Sequence, residues 1–343
     1  MNTSRKKNLS FAIGIAISAI FLFLILRKVE FEKLYIALQT ANYYWLIPNI
    51  IFVVLAMYQR AERWKWMMLP IARIDYGKLL SATCVGFMAN NVLPLRLGEF
   101  VRAYSLSKQD IRVTKSASLA TIFIERMVFD LLALLLILSG ILAVAPIKII
   151  EGDNKYAILG VLLIAVIGLL FALAVVSRPE GAGRLMTKYL FFLPAFLKDK
   201  IGDTVVKFSR GLLFLKNWKY TFWVSLHTIL IWLAMGISNI FVFYAFGFDL
   251  PVYASYILLI IVSISILIPS SPGFIGVYHA GVVFTLSRFG IDASNAVSCA
   301  LVLHAAQFFP ITLMGFYYLK KSHLSLKQLE KEALEEENHG QTE

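Results

Sequence analysis

Charge is scarce in this 343-residue chain: Asp, Glu, Lys and Arg together make up 16% of it, where a soluble domain carries roughly a quarter. With a hydrophobic fraction of 59% and a mean hydropathy of +0.73, that deficit excludes a sizeable soluble domain. Cysteine is scarcer still. Cys84 and Cys299 lie in or beside apolar runs, and no Cys/His spacing of the metal-binding kind accompanies them, so inert thiols are expected. No G-x-x-x-x-G-K-[ST] loop occurs, so ATP is not expected to drive the protein directly. No H-E-x-x-H spacing and no nucleophile–base pair stand out, so the chain is not expected to be an enzyme, and no cofactor or metal is expected. Negative charge is also in deficit. Lys and Arg number 33 against 21 Asp and Glu, giving a formal charge of +12. In a soluble protein that excess would raise nucleic acid as a partner. Here the basic residues sit in short loops at the ends of apolar runs, where topology and anionic head groups account for them, and no nucleic acid is expected.

What the chain has instead is long apolar runs, at about 9–26, 41–58, 79–93, 117–145, 157–177, 221–246, 252–269, 274–290 and 296–319. A bilayer core of about 30 Å takes roughly 20 helical residues to cross, and helices satisfy their own backbone groups in lipid. The reading is an all-α, polytopic integral membrane helical bundle of about eight spans. One or two re-entrant or broken helices accompany them, because 79–93 is short and runs straight into Pro94. Phe11–Leu26 follows Arg5-Lys6-Lys7 but lacks a small-x-small cleavage site, so it reads as a retained first helix. Basic residues collect at 59–78 (Arg60, Arg63, Lys65, Arg73, Lys78) and between Arg178 and Lys219, whereas 146–156 is nearly neutral and 247–253 carries only Asp249. The positive-inside rule then puts both termini in the cytoplasm, in a bacterial-type inner membrane, provided 79–107 returns to the side it left. One transmembrane domain over 1–323 is expected. It includes an amphipathic, cytoplasmic surface segment at 178–219, and a polar cytoplasmic tail follows at 324–343.

Three places put polar or helix-breaking residues where a bilayer excludes them unless they line a cavity or meet one another. The first is Asn90-Asn91-Val92-Leu93-Pro94-Leu95-Arg96-Leu97-Gly98-Glu99-Phe100-Val101-Arg102. If 95–107 is helical, Glu99 stands i,i+3 to both Arg96 and Arg102, and one carboxylate between two guanidiniums leaves positive charge for an anionic head group. An interfacial salt-bridge cluster is the competing reading. The second is Glu125, Arg126 and Asp130. Arg126 and Asp130 are spaced to pair on one helix face, while Glu125 points away and is free to meet Arg96 or Arg102. A purely structural ion network competes here. The third is Ile268-Pro269-Ser270-Ser271-Pro272-Gly273-Phe274-Ile275-Gly276-Val277-Tyr278-His279. Its prolines and glycines break a helix, and Ser270, Ser271, Gly273 and Gly276 precede a helix start suited to an anion. A tight turn, or small-residue packing of Gly276 with Ala280, competes. His279 adjoins this segment; His227, Asn239, His304 and Gln307 are lesser candidates.

Pro94-x-x-x-Gly98-x-Phe100 parallels Pro272-x-x-x-Gly276-x-Tyr278, 178 residues later. Paired broken helices in two halves point to an internal repeat with a site at its interface. The run Asn91-x-x-Pro94-x-Arg96-x-Gly98-Glu99-x-x-Arg102, followed by Glu125-Arg126 and a later Pro-Gly-x-x-Gly, resembles the lysylphosphatidylglycerol synthase transmembrane-region family of flippase-like proteins. The resemblance covers roughly 10–320. It implies a helical bundle with re-entrant helices that moves a lipid between leaflets. In the best-known relatives that the resemblance points to, the bundle precedes a soluble aminoacyltransferase domain. The chain ends about two dozen residues past its last run, so lipid aminoacylation is not expected, and phospholipids or polyprenyl-linked glycolipids are the substrates in view. Expected partners are therefore anionic or phosphate-bearing membrane lipids, with a homo-oligomer or a cell-envelope synthesis partner in view. Two other readings stand beside the flippase: an accessory scaffold for an envelope synthase, docking through 178–219, and an intramembrane lipid-modifying enzyme using Glu99, Glu125 or His279.

Overall fold

The computed structural model describes residues 3–144 and 213–332, with isolated helical positions at Tyr156, Gly160, Leu163 and Ile167 between them. The run at 157–177 and most of the 178–219 segment lie outside the described residues. Among the described residues there is no strand. The helices are α1 (Thr3–Leu26), α2 (Phe31–Thr40), α3 (Leu46–Met68), α4 (Tyr76–Val92), α5 (Gly98–Gln109), α6 (Lys115–Ile124) and α7 (Leu131–Val144). After the undescribed stretch come α8 (Trp218–Ala245), α9 (Val252–Ser265), α10 (Val277–Arg288) and α11 (Ala293–Lys321). A π-helical turn, Glu125–Asp130, joins α6 to α7 without a break in the rod. A further helical stretch covers 326–332 at the start of the polar tail.

Local chemistry sets the ends. Thr114 caps α6 by accepting from the Ala117 amide at 3.2 Å. Asp292 caps α11 by accepting from the amides of Ser294 and Asn295 at 3.0 and 3.1 Å, and Lys320 and Lys321 close that helix against its negative end. Three described helical rods are long and apolar enough to cross a bilayer: Lys115–Ala143, Trp218–Ala245 and Ala293–Lys321. The pair α1 and α2, bent by 90° at Arg27–Glu30, adds a fourth if it forms one span. The number is smaller than the count of apolar runs for definite reasons. Helix α3 has the length, at 23 residues, but its second half carries Arg60, Glu62, Arg63 and Lys65. Helices α4, α9 and α10 have 17, 14 and 12 residues, about 25 Å or less at 1.5 Å per residue.

Large apolar side chains lie on the outside as well as in the core. Trp218, Phe222, Ile229, Leu233, Leu313 and Tyr317 are among many exposed ones, which only a lipid environment makes favourable. On α8, Trp223 and Tyr244 stand 21 positions apart, about 31 Å, which matches aromatic belts at the two faces of a hydrocarbon core.

The chain divides into two compact units. The first comprises Met1–Met57, Cys84–Val101 and Ile231–Glu343, and the second Tyr58–Thr83 and Arg102–Leu230. The first unit's core gathers Phe243, Leu258, Tyr278, Val282 and Leu303. Small residues bring its helices close. A Cβ at Gly315 would collide with Met88, and one at Gly281 would stand 2.7 Å from Ser265 Oγ. The second unit's core is Trp64, Met68, Leu106, Phe129 and Phe214.

Candidate functional site

The second unit holds an ion network in an otherwise apolar interior. Arg63, on α3, is fully buried. It contacts Asp130 at 2.6 Å and Glu125 at 2.9 Å, and its Nη1 also donates to Thr228 Oγ1 at 3.1 Å. Arg102, on α5, is 2% exposed and donates to Glu125 Oε1 at 2.9 Å. Its guanidinium lies 4.0 Å from the Trp64 ring centroid, and Trp64 is itself fixed by donating Nε1–H to Thr121 Oγ1 at 2.8 Å. Arg126 donates to Asp130 Oδ2 at 3.1 Å.

The π turn makes this arrangement possible. On an ideal α-helix, residues five apart point about 140° away from each other. A π turn, closed by i→i+5 bonds, sets them side by side, so Glu125 and Asp130 both reach Arg63. Three guanidiniums contact two carboxylates, and Arg60 stands in electrostatic range of the same groups, which leaves an excess positive charge. Buried donors also remain: Arg102 Nε and Nη2 and Arg63 Nε have no hydrogen-bond partner. Buried polar groups are rarely left so, and desolvated guanidinium donors suit an oxyanion.

The first unit holds the two broken segments, and their backbones run in parallel. Pro94 opens a 3-10 turn, Pro94–Arg96, and Arg96 has φ +55°. At the matching positions Pro272 opens a 3-10 turn, Pro272–Phe274, and Phe274 has φ +59°. A left-handed backbone at a residue with a side chain costs of order 1–3 kcal/mol and clusters at functional sites. Each turn is followed by a helix of 12 residues, α5 and α10. The two equivalent positions also meet: the Arg96 guanidinium lies 5.7 Å from the Phe274 ring centroid. Arg96 Nη1 donates to Ile266 O at 3.2 Å, a carbonyl at the negative end of α9.

Around the first turn, Asn90 Oδ1 accepts from the Gly98 amide at 2.7 Å, and Asn90 Nδ2 donates to the Glu99 carboxylate at 3.3 Å. Asn91 Nδ2 donates to Thr312 Oγ1 at 2.9 Å. Around the second, Ser271 donates its amide N–H to Ser18 Oγ at 2.9 Å, and the Ser18 hydroxyl donates to Ser271 Oγ at 3.0 Å. Gly276 has φ +90°, and a Cβ there would stand 2.6 Å from Ser18 O. Gly273 has φ +73° and packs on Phe308.

Beyond the second turn a polar chain crosses the first unit. His279 Nδ1 accepts from the Gly276 amide at 3.4 Å. The His279 and His304 ring centroids are 4.9 Å apart and nearly perpendicular, and Tyr278 lies 4.7 Å from His304. The Tyr278 hydroxyl donates to Gln307 Oε1 at 3.1 Å, Gln307 Nε2 to Asn239 Oδ1 at 3.0 Å, and Asn239 Nδ2 to Ser255 O at 3.4 Å.

Several expectations change in detail. Helix α5 starts at Gly98, so Arg96 stands in the turn and not i,i+3 to Glu99 on a helix. Its left-handed φ, forced by the Pro94 turn, is the reason. Arg102 turns to Glu125, one of the two partners open to that carboxylate. Arg126 and Asp130 pair at their expected spacing, but on a π turn. Arg60 and Arg63 are not in a loop, since α3 continues to Met68. Arg63 escapes sequence reading because it sits among Arg60, Glu62 and Lys65, where charge density imitates a loop. Ser18 and Thr312 are single hydroxyls in apolar runs and carry no signal at all. Ser270 has its carbonyl against Gly14 of α1.

An α-helical membrane protein with two matched broken helices and a buried, net-cationic ion network is thus the class that fold and site define. The chain belongs to the family of the lysylphosphatidylglycerol synthase TM region, whose model matches residues 11–315. It is similar to a UPF0104 membrane protein of Methanocaldococcus jannaschii, 25% identical over 71% of this chain and 98% of that one. It is also similar to a UPF0104 membrane protein of Methanothermobacter thermautotrophicus, 26% identical over 81% of this chain and 86% of that one. No solved structure matches it.

Proposed function

We propose that the protein is a lipid translocase that moves a phosphate-bearing lipid, either a phospholipid or a polyprenyl-linked one, between leaflets without chemical change. The observation that carries this reading is the pair of broken segments in the first unit. Their prolines match, each has a left-handed residue two places on and a 12-residue helix after the turn, and Arg96 lies on Phe274. Broken helices at equivalent places are where repeat-built transporters hold their cargo. In this reading Arg96, with Asn91, Glu99 and the Ser270–His279 segment, receives the head group. The Arg63, Arg102, Arg126, Glu125 and Asp130 network supplies charges whose partners exchange during the cycle. The basic excess, the single transmembrane domain over 1–323 and the polar tail fit a bacterial-type inner membrane with both termini cytoplasmic.

The test is reconstitution. Head-group-labelled lipids in proteoliposomes are quenched from outside, and translocation exposes the inner-leaflet pool to the quencher. Loss of that protected pool with at least one phospholipid or polyprenyl phosphate is expected. A pool that stays protected across both classes refutes the reading and favours an accessory scaffold for an envelope synthase. A chemically altered lipid favours an enzyme.

A further inference from the structure

The two histidines beside the second turn have no part in the charge network, and their surroundings are unusual. No charged residue occurs in Phe11–Leu26 of α1, in α9, in Val277–Ser287 of α10, or in Ala293–Leu319 of α11, and α1, α9 and α11 are the helices packed on α10. Helix α2, which packs on α11, brings Glu32 and Lys33 beside the far end of α11, where the Glu30 amide bonds Ser294 Oγ. That is ten residues, about 15 Å, from His304. The titratable or charged groups facing the pair are therefore Tyr278, Cys299 and, through Phe274, Arg96. His279 and His304 are the two imidazoles of this apolar interior, and imidazole is the side chain whose ordinary charge change falls nearest neutral pH.

His279 is three residues past Gly276, the first residue outside α10. Its Nδ1 lone pair accepts the Gly276 amide N–H, so the neutral ring carries its hydrogen on Nε2. A proton arriving from water has one lone pair left to bind, the same Nδ1. The new Nδ1–H bond forms as the Gly276 N–H to Nδ1 hydrogen bond breaks, and two N–H groups then face each other. The resulting cation also sits at a helix N-terminus, where the macrodipole opposes it. Gly276, at φ +90° and pressed against Ser18 of α1, also accepts from the Ala280 amide at 2.8 Å, so the bond to His279 is the one that fixes its N–H side. The perpendicular His304 ring, in contact with Tyr278, is the titratable ring that lies against that charge.

We propose that His279 and His304 form a proton-binding pair that latches the second broken turn, closed when both rings are neutral and released on proton uptake. This gives the translocase reading a proton-coupled gate. It is tested without any transport, so that its failure and that of the translocase reading are distinguishable.

The experiment places a nitroxide on Ser270→Cys in the full chain in nanodiscs, labelled at neutral pH; Cys84 and Cys299 are buried. Electron paramagnetic resonance spectra are then recorded from pH 8 to 5. The mobile-to-immobile ratio should rise about tenfold as pH falls, the factor that one lost hydrogen bond brings. His279→Gln, whose side-chain oxygen can accept the same amide but cannot titrate, should hold the label immobile throughout. His304→Gln, a change at the positioning residue, should shift the midpoint without abolishing the response. A wild-type spectrum that does not change with pH, or a pH response that survives His279→Gln, overturns the proposal. NMR of the five histidines supplies a check that needs no substitution: two signals should titrate together, and none doing so contradicts the pair.

Discussion

Replacing Arg63 by Met tests the ion network where it is most exposed to refutation. The side chain is fully buried, touches both carboxylates and bonds Thr228. Methionine keeps roughly the unbranched apolar stem and removes the guanidinium with its charge. Breaking a buried pair from one side costs about 3–5 kcal/mol, because it strands the other charge. Here each carboxylate keeps one guanidinium: Glu125 has Arg102 and Asp130 has Arg126. The expected loss is therefore at the lower end, about 3 kcal/mol, or roughly a hundredfold in the folding equilibrium. Thermal unfolding in nanodiscs, followed by Trp fluorescence with Trp64 beside the lesion, should show a midpoint about 4 °C lower. Asp130→Asn should cost less in the Arg63→Met background than in the wild type, since Arg63 is one of the two guanidiniums that contact that carboxylate. Arg63→Met within about 1 kcal/mol of wild type, or an Asp130→Asn cost that is the same with and without Arg63, would refute the network as the element holding α3 to the π turn.

Other substitutions probe the turns and the loop. Gly98→Ala has no room for its methyl group between Gly86 O and Asn90, and should cost about 1–3 kcal/mol in an unfolding titration. Asn90→Ala removes the cap on α5 and the donor to Glu99, for about 1 kcal/mol. Asn90→Asp should be worse because it sets two carboxylates together, and Glu99→Gln should relieve it. Outside the spans, hydrogen bonding from Arg112 holds the Asp110 carboxyl below its usual range, with Lys78 adding to the effect. Its stabilisation is thus complete above the ordinary carboxylate value of about 3.9 and fades as pH falls below it. The stability gap between wild type and Asp110→Asn should narrow in acid in the same way. Both partners are more than a third exposed, so the gap at neutral pH stays below about 1 kcal/mol.

The helical membrane fold is legible because it depends on run length and on apolar content, both one-dimensional quantities. The broken segments are legible for a related reason: Pro94, Pro272, Gly98 and Gly276 restrict the backbone wherever they occur. Arg126 and Asp130 announce their pairing through helical spacing. The rest depends on three-dimensional neighbours. Nothing in Glu125–Asp130 distinguishes a π turn from an α turn, so the clamp on Arg63 is invisible until α3 is seen beside it. The 90° bend between α1 and α2 also leaves no signal, since Arg27–Glu30 reads like any polar loop. Gly98 and Gly276 read as breakers, yet each also gives a neighbouring backbone room to approach, which only packing reveals.

The most direct test of the central claim compares initial rates of lipid translocation in proteoliposomes for the wild type, Arg96→Gln and Arg102→Gln, each first shown to fold. Arg96 reaches the second turn and Arg102 holds Glu125, so both variants should lose most of the rate while keeping the monodisperse, helical state of the wild type. Undiminished translocation in both folded variants would contradict an account in which these charges serve the lipid's path.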